Sequence, residues 1–304
     1  MNILFVSSEA VPFARTGGLA DVSAALPAAL ERLGHSVTVV IPGYKCVFNS
    51  GFEPKDTGIC FPVSVGHKTA QAKIWKDRIP DGDVPIYFIQ NDDYFDRDEL
   101  YTENGSDYDD NCERFVFFCR AVMEMISVLG LKVDVLHTND WQTGLIPAYQ
   151  SVLYQNRVGY DRIATIHTIH NISYQGIFWH MDLPLTGIGW EHFTYDKLEF
   201  YGKLNLMKAG VMFADGITTV SPQYALEIQS PGLGCGMESA IQYRSPMLRG
   251  ILNGVCTKRW NPETDPYIVA QYNVDTVLEK NPFANTIYKR RWGWHYDLMR
   301  LFAV

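Results

Sequence analysis

Arg15-Thr16-Gly17-Gly18-Leu19-Ala20-Asp21-Val22 decides how this chain is read, because it joins a short apolar strand to a long apolar-faced helix. On one side Asn2-Ile3-Leu4-Phe5-Val6 is the continuous β-favouring run that a strand buried on both faces needs. On the other, a helix is predicted over residues 19–33, with Leu19, Val22, Leu26, Leu30 and Leu33 at three- and four-residue steps. The two glycines at the junction let backbone N–H groups approach a ligand with no Cβ in the way. A helix start adds unpaired donors and a partial positive charge. Arg15 contributes a permanent cation beside them. A diphosphate suits such a place, although a plain strand-to-helix turn with a solvated arginine would carry the same residues. The spacing is not the dinucleotide fingerprint, which needs a further spaced glycine and an acidic ribose ligand.

Working outward, Ser36-Val37-Thr38-Val39-Val40-Ile41-Pro42 reads as a second buried strand that completes a right-handed βαβ unit. Residues 58–65 and 70–75 suggest a hairpin, Pro85-Ile86-Tyr87-Phe88-Ile89-Gln90 a further strand, and the Asp- and Tyr-rich residues 91–110 a loop with little regular structure. A helix is predicted over 111–129, with Phe115, Cys119, Val122, Met123 and Ile126 on its buried side. Strand 133–137, helix 142–155 and strand 162–167 follow, then helix 203–213 and strand 216–220. Ser221 is placed to cap a short helix with Pro222 at its first position, and residues 250–255 are the last strand. Alternating strands and helices predict an α/β, doubly wound, Rossmann-like parallel sheet, whose ligands gather at the carboxyl ends of its strands. That rule groups Arg15, Gly17, Gly18 and Asp21 with His137, Asn139, Asp140 and Trp141, and with His167, His170 and Asn171, on one edge.

Composition bounds the function. The 304 residues are 47% hydrophobic and 20% charged, an ordinary globular balance, and a net charge of −8 makes a nucleic-acid backbone an unsuitable partner. No apolar run approaches the roughly 18 residues that span a bilayer, and the chain opens on a strand rather than a signal peptide, so a cytoplasmic protein is expected. Six scattered cysteines, Cys46, Cys60, Cys112, Cys119, Cys235 and Cys256, fit free thiols in a reducing compartment better than a metal site; no metal and no cofactor is expected.

The opening motif, taken with His137-Thr138-Asn139-Asp140-Trp141-Gln142-Thr143-Gly144-Leu145 and Thr168-Ile169-His170-Asn171-Ile172-Ser173-Tyr174-Gln175-Gly176, closely resembles the bacterial glycogen synthases and plant starch synthases. Thr218-Thr219-Val220-Ser221-Pro222 and Ile251-Leu252-Asn253-Gly254-Val255 extend the resemblance to about residues 1–270. It implies the N-terminal half of a two-domain, GT-B type glycosyltransferase that moves glucose from an ADP-glucose donor to an α-1,4-glucan (glycogen) acceptor with retention. By residue, it implies that the Gly17-Gly18 loop and Arg15, where the family usually has lysine, hold the diphosphate. Asp140 would orient sugar hydroxyls, with Trp141 shaping that pocket. His170 would sit against the donor glucose, bonding a hydroxyl or stabilising charge, with Asn171 and Asn253 as further contacts and Asp21 on the acceptor side. Same-face attack, with the acceptor proton passing to the departing phosphate, needs no carboxylate pair.

Two departures accompany the resemblance. Cys256 stands where the family commonly has aspartate. Residues 281–304, with Lys289-Arg290-Arg291 and Trp292-Gly293-Trp294, leave the family pattern before a second Rossmann half. The expected organisation is therefore a catalytic-domain half over 1–256, with a linker and non-family tail over 257–304, the chain being truncated or frame-shifted and working with a separate C-terminal half. A non-catalytic glucan- or nucleotide-binding module is the alternative. A nucleotide-sugar epimerase or dehydrogenase would need a Tyr-x-x-x-Lys pair that neither 154–158 nor 201–205 supplies.

Overall fold

In the computed structural model, which describes residues 1–280 apart from Ser50, Asp81, Leu278 and 255–260, the apolar runs assemble into one nine-stranded sheet. Its strands are β1 (Asn2–Val6), β2 (Ser36–Pro42), β3 (Lys55–Val65), β4 (Lys68–Arg78), β5 (Pro85–Gln90), β6 (Val135–Asn139), β7 (Ala164–Ile169), β8 (Gly216–Thr219) and β9 (Leu248–Gly250). Their spatial order is β9-β8-β7-β6-β1-β2-β5-β4-β3. Neighbours from β9 to β5 are parallel, and β3 and β4 close the far edge as an antiparallel hairpin. The chain leaves β1 toward β2 and later returns to β1's other side with β6, so the β1/β6 boundary is the switch point at which such sheets bind ligands. Residues Met1–Asn253 form one compact unit, and a second begins at Gly254.

The helices that position the site are α1 (Gly18–Arg32), α2 (Asn111–Val128), α3 (Leu206–Phe213) and α4 (Pro222–Glu227). α1 begins and ends one residue earlier than expected, and of the five apolar positions expected on its inner face only Leu19 is fully buried. Ala20, Ser23, Ala24, Pro27 and Ala28 are buried, whereas Val22, Leu26 and Leu30 are half-buried and Leu33 is exposed. Small side chains let the helix axis lie close to the sheet, and the larger ones flank the contact. In α2 the five residues expected inside are buried, and so is Arg114. Its guanidinium donates to the carbonyls of Tyr94 (2.7 Å) and Leu100 (3.0 Å) and to Asn111 Oδ1 (2.6 Å), and it stacks 4.8 Å over the Tyr108 ring. This is why residues 91–110 are more ordered than their composition suggests. They hold a helical turn, Asp92–Phe95, and a two-residue β pair, their carbonyls gathered by one buried cation.

Several boundaries move for identifiable reasons. β6 and β7 begin and end two residues later than predicted, because pairing of β6 with the buried β1, and of β7 with β6, carries polar residues into the ladder; Asn139 donates from its side chain to the Val6 carbonyl (2.9 Å). The helix predicted over 142–155 is a 3₁₀ turn (Trp141–Thr143), a short α-helix (Leu145–Tyr149) and a π turn (Gln150–Tyr154). Pro147 has no N–H to give the Thr143 carbonyl, so an unbroken α ladder cannot form there. Lys203–Asn205 is a strand rather than the start of a helix, lying between Ile177–Trp179 and Glu199–Phe200 in a three-stranded sheet, after which Asn205 caps α3 by accepting from Lys208 N (2.8 Å). Ser221 caps α4 as expected, its Oγ accepting from Tyr224 N (2.9 Å). Of the strand expected over 250–255 only Gly250 belongs to β9; Val255 and Cys256 lie outside the described residues, as does the segment 281–304 with its Lys289-Arg290-Arg291 and Trp292-Gly293-Trp294 motifs.

Candidate functional site

The first strand hands over to α1 through residues 7–17, and here the structure adds a residue the sequence did not single out. Glu9, almost fully buried, accepts from Thr16 N (2.5 Å), Thr16 Oγ1 (2.5 Å), Gly17 N (3.2 Å) and Tyr101 Oη (2.8 Å). One loop donor expected for a ligand, the Gly17 N–H, is thus taken internally. Among the described residues no side chain caps the first turn of α1, whose N-cap is Gly17. An ideal Cβ on Gly17 or Gly18 would meet nothing within 4 Å, and Gly17 is extended (φ −148°). Neither strain nor crowding within the chain requires glycine here, so the open side of the loop is where a ligand would come close. Arg15 Nη2 lies 3.3 Å from Asp21 Oδ2, both partly exposed. Asp21 is therefore a partner of the loop's cation.

Across the switch point, Asp140 follows β6 with φ +54° and ψ −176°, a left-handed backbone that a non-glycine residue rarely adopts. Its N–H donates to the Thr168 carbonyl (2.9 Å), and its Oδ1 accepts from His170 N (2.7 Å) and Asn171 N (3.4 Å). Burial pushes the carboxyl up to about 7, against the lowering effect of those two bonds and with a smaller upward push from the Glu9 charge. A carboxyl poised there can give or take a proton near neutrality.

His170 donates from Nε2 to Asn139 Oδ1 (2.9 Å), an orientation fixed because the Asn139 amide is held on Val6. This leaves Nδ1 as an acceptor. Burial lowers His170 to about 4, so it is neutral at pH 7. His137 and His167 do not join the site. The two-residue shift of β6 and β7 leaves them inside the strands, His137 Nε2 2.7 Å from Thr168 Oγ1 and His167 Nδ1 2.9 Å from Thr138 Oγ1, with burial lowering them to about 4 and about 3. Asn171 is exposed, its Oδ1 accepting from Ser173 N (3.0 Å) to make a turn. Asn253 follows the outermost strand, β9, and is exposed, three strands from β6.

Trp141 is a buried pillar under this cluster. Its ring packs 4.8 Å from Phe115, 5.8 Å from Phe178 and 6.4 Å from Tyr101. Gly176 (φ +60°) lies against it, where a Cβ would fall 2.3 Å from Trp141 Cε3. Gly176→Ala is expected to cost about 2–4 kcal/mol, through backbone strain and displacement of the indole. Gly105→Ala, with φ +82° and nothing near its Cβ, should show the strain alone, about 1 kcal/mol. Thermal melts of both, with near-ultraviolet circular dichroism for the indole, check this; equal losses would refute the contact.

Glu9, Thr16 and Tyr101 had one legible signal. Ser7-Ser8-Glu9 directly follows the apolar run 3–6 of β1, so the carboxyl-end rule that selected Arg15 also places Glu9 on that edge. Among the described residues no group of three or more His, Cys, Asp or Glu is placed to hold a metal ion, and no helix is long and apolar enough to cross a membrane.

Comparison with known proteins decides the family. The model of the starch synthase catalytic domain matches residues 2–243. The chain belongs to this family. It is 42% identical over 280 residues to a glycogen synthase of Syntrophotalea carbinolica, covering 92% of this chain and 57% of that relative, and 44% identical over 281 residues to one of Koribacter versatilis, again covering 92% and 57%. The catalytic domain of starch synthase IV from Arabidopsis thaliana, solved bound to ADP and acarbose, superimposes with a TM-score of 0.83 at 30% identity, over 95% of this chain and 59% of that one. The expected glycosyltransferase fold is thereby shown. This starch synthase family chain spans a little over half the length of these relatives. Arg15, Asp140, Trp141 and His170 all lie within the matched residues, as does the newly placed Glu9.

Proposed function

We propose that this chain supplies the N-terminal half of an ADP-glucose-dependent glycogen or starch synthase, which adds glucose to the non-reducing end of an α-1,4-glucan with retention. The observation that carries the reading is one arrangement: an uncapped helix start behind two open glycines, facing across the β1/β6 boundary a buried carboxyl near pH 7 and a neutral histidine. The ADP and acarbose bound by the Arabidopsis domain support a nucleotide-sugar donor and a glucan acceptor. Arg15 and the first turn of α1 take the diphosphate, Asp140 orients sugar hydroxyls, and His170 accepts one through Nδ1. As His170 is neutral, it acts by hydrogen bonding rather than as a cation. As the donor bond breaks, the acceptor hydroxyl attacks from the same face and its proton passes to the leaving phosphate. Catalysis rests on stabilising that leaving group and holding the acceptor. A C-terminal half supplies the rest of the nucleotide pocket, and the reaction runs in the cytoplasm. Asn171 and Asn253, exposed on the same edge, are reserved for contacts made once the two halves meet.

Calorimetric titration of ADP into the chain is the test. Wild type should bind, and Arg15→Ala should weaken binding about tenfold, with less effect in high salt, because one charge-assisted contact is lost from a half-exposed group. Gly17→Ala should leave the melting temperature unchanged yet weaken ADP, since its Cβ enters only the open side. Absence of ADP binding by wild type would overturn the reading. Glucose incorporation by the chain alone, and mixed with a separate C-terminal half, distinguishes the enzyme from a non-catalytic binding module.

A further inference from the structure

The loop that presents Arg15 and the glycines is not self-supporting: its shape comes from contacts made around one buried side chain. Glu9 divides its two oxygens, Oε2 receiving the backbone N–H groups of Thr16 and Gly17 and Oε1 the hydroxyls of Thr16 and Tyr101. Tyr101 Oη also lies 2.8 Å from Ser8 Oγ, so it can accept from Ser8 while donating to Glu9. The Tyr101 backbone is itself fixed, its carbonyl accepting from Asn111 Nδ2 (2.9 Å) on α2, and its ring packs against Phe115 and Trp141. A continuous set of contacts therefore runs from α2 through Tyr101 and Glu9 to the residues that precede α1. The two N–H groups taken by Glu9 belong to Thr16 and Gly17, just before the helix. Those that a helix start leaves without intrahelical partners begin at Gly18. Glu9 thus takes the Gly17 N–H but leaves the donors of the first turn of α1 itself for a diphosphate.

We propose that Glu9 is the positioning residue of the donor loop, tying residues 15–17 to Tyr101 so that the first turn of α1 stays open toward the diphosphate of a sugar nucleotide. The donor part of this statement rests on the function proposed above; the loop-holding part does not. Ordering the loop in advance removes that cost from binding. A buried carboxyl that instead opposed the diphosphate would make binding tighter when removed, which gives the proposal a definite sign.

Two readouts on the full chain test it. Trypsin cleavage after Arg15, followed by mass spectrometry, reports whether the loop is held. Calorimetry with ADP reports whether that matters for the donor. Glu9→Ala loses all four bonds and should speed cleavage at Arg15 and weaken ADP, each by about tenfold or more. Glu9→Gln should stay within about threefold of wild type in both, because its carbonyl can face the backbone N–H groups while its amide donates to the two hydroxyls. Should Glu9→Ala not fold, Tyr101→Phe and Thr16→Val each remove one hydroxyl, and each should move both readouts in the same direction by a smaller amount. Unchanged cleavage at Arg15 in Glu9→Ala, or unchanged or tighter ADP binding, overturns the proposal. Loss of protection in a protein whose wild type does not bind ADP would sustain the loop-holding role and overturn the donor reading.

Discussion

Asp140→Asn is expected to melt at a higher temperature than wild type at pH 8 while abolishing glucosyl transfer by the chain reassembled with a C-terminal half. The two effects share one cause. In the folded protein the Asp140 carboxyl is pushed up to about 7 by burial, above the ordinary value of about 3.9. The folded state then binds more protons than the unfolded one between these values, so stability falls as pH rises through that window. The contribution is fully present below about pH 4 and lost above about pH 7. Over about three pH units this amounts to on the order of 4 kcal/mol. Asparagine has no charge to bury, keeps an oxygen for His170 N, and has the same shape as aspartate, so it adds no new backbone demand at φ +54°. Its advantage should therefore be about 8–16 °C at pH 8, at about 2–4 °C per kcal/mol for a domain of this size, and should vanish toward pH 4. Transfer should drop about 10²–10³-fold if the carboxyl holds sugar hydroxyls in place at the reacting centre. Calorimetric melts across pH, with incorporation assays, check both arms; a variant less stable than wild type at pH 8 would show that the buried charge is compensated.

Gly144→Ala should be among the most destabilising single changes in the chain, at about 3 kcal/mol or more. A Cβ there would stand 2.0 Å from the Leu206 carbonyl oxygen and 2.8 Å from its carbon. Both are backbone at the start of α3, and Leu145 and Leu206 beside them are buried, so no rotamer change relieves the clash. The glycine's conformation is ordinary helical (φ −64°), so only the close approach demands it. Gly144 closes the turn that begins at Asp140 and Trp141, its N–H donating to the Trp141 carbonyl (3.1 Å), so the variant should lose site geometry along with stability. Urea unfolding of the variant against wild type measures this; a loss under 1 kcal/mol would mean that the turn and α3 can separate freely.

Much of this could be read from local pattern. The apolar runs at 2–6, 36–42 and 85–90 became strands at the expected positions because a doubly covered parallel strand is recognisable from its own residues. Ser221-Pro222 announced a helix start because a cap is made within four residues. Of the residues singled out in the sequence, Asp140 and His170 are joined by a hydrogen bond after β6, and Arg15, Gly17 and Gly18 follow the neighbouring strand β1. His137 and His167 were misplaced because their separation from the sheet edge depends on the register between β6, β7 and β1, which is set by partners far away in sequence. The Asp21 pairing with Arg15 and the burial of Ala20 and Ala24 rather than Leu33 depend in the same way on how closely α1 approaches its neighbours.

The amino-acid order alone determined the class of fold, the position of the glycine loop and the family, because these rest on runs and motifs a few residues long. Tertiary structure alone decided which acid belongs to the loop, which histidine leaves the strands, and that Asp140 is held near neutrality. Those properties come from burial and from hydrogen bonds between residues as distant as Glu9 and Tyr101 or Val6 and Asn139, and the free energy of a buried polar group is set by the partners that folding brings to it.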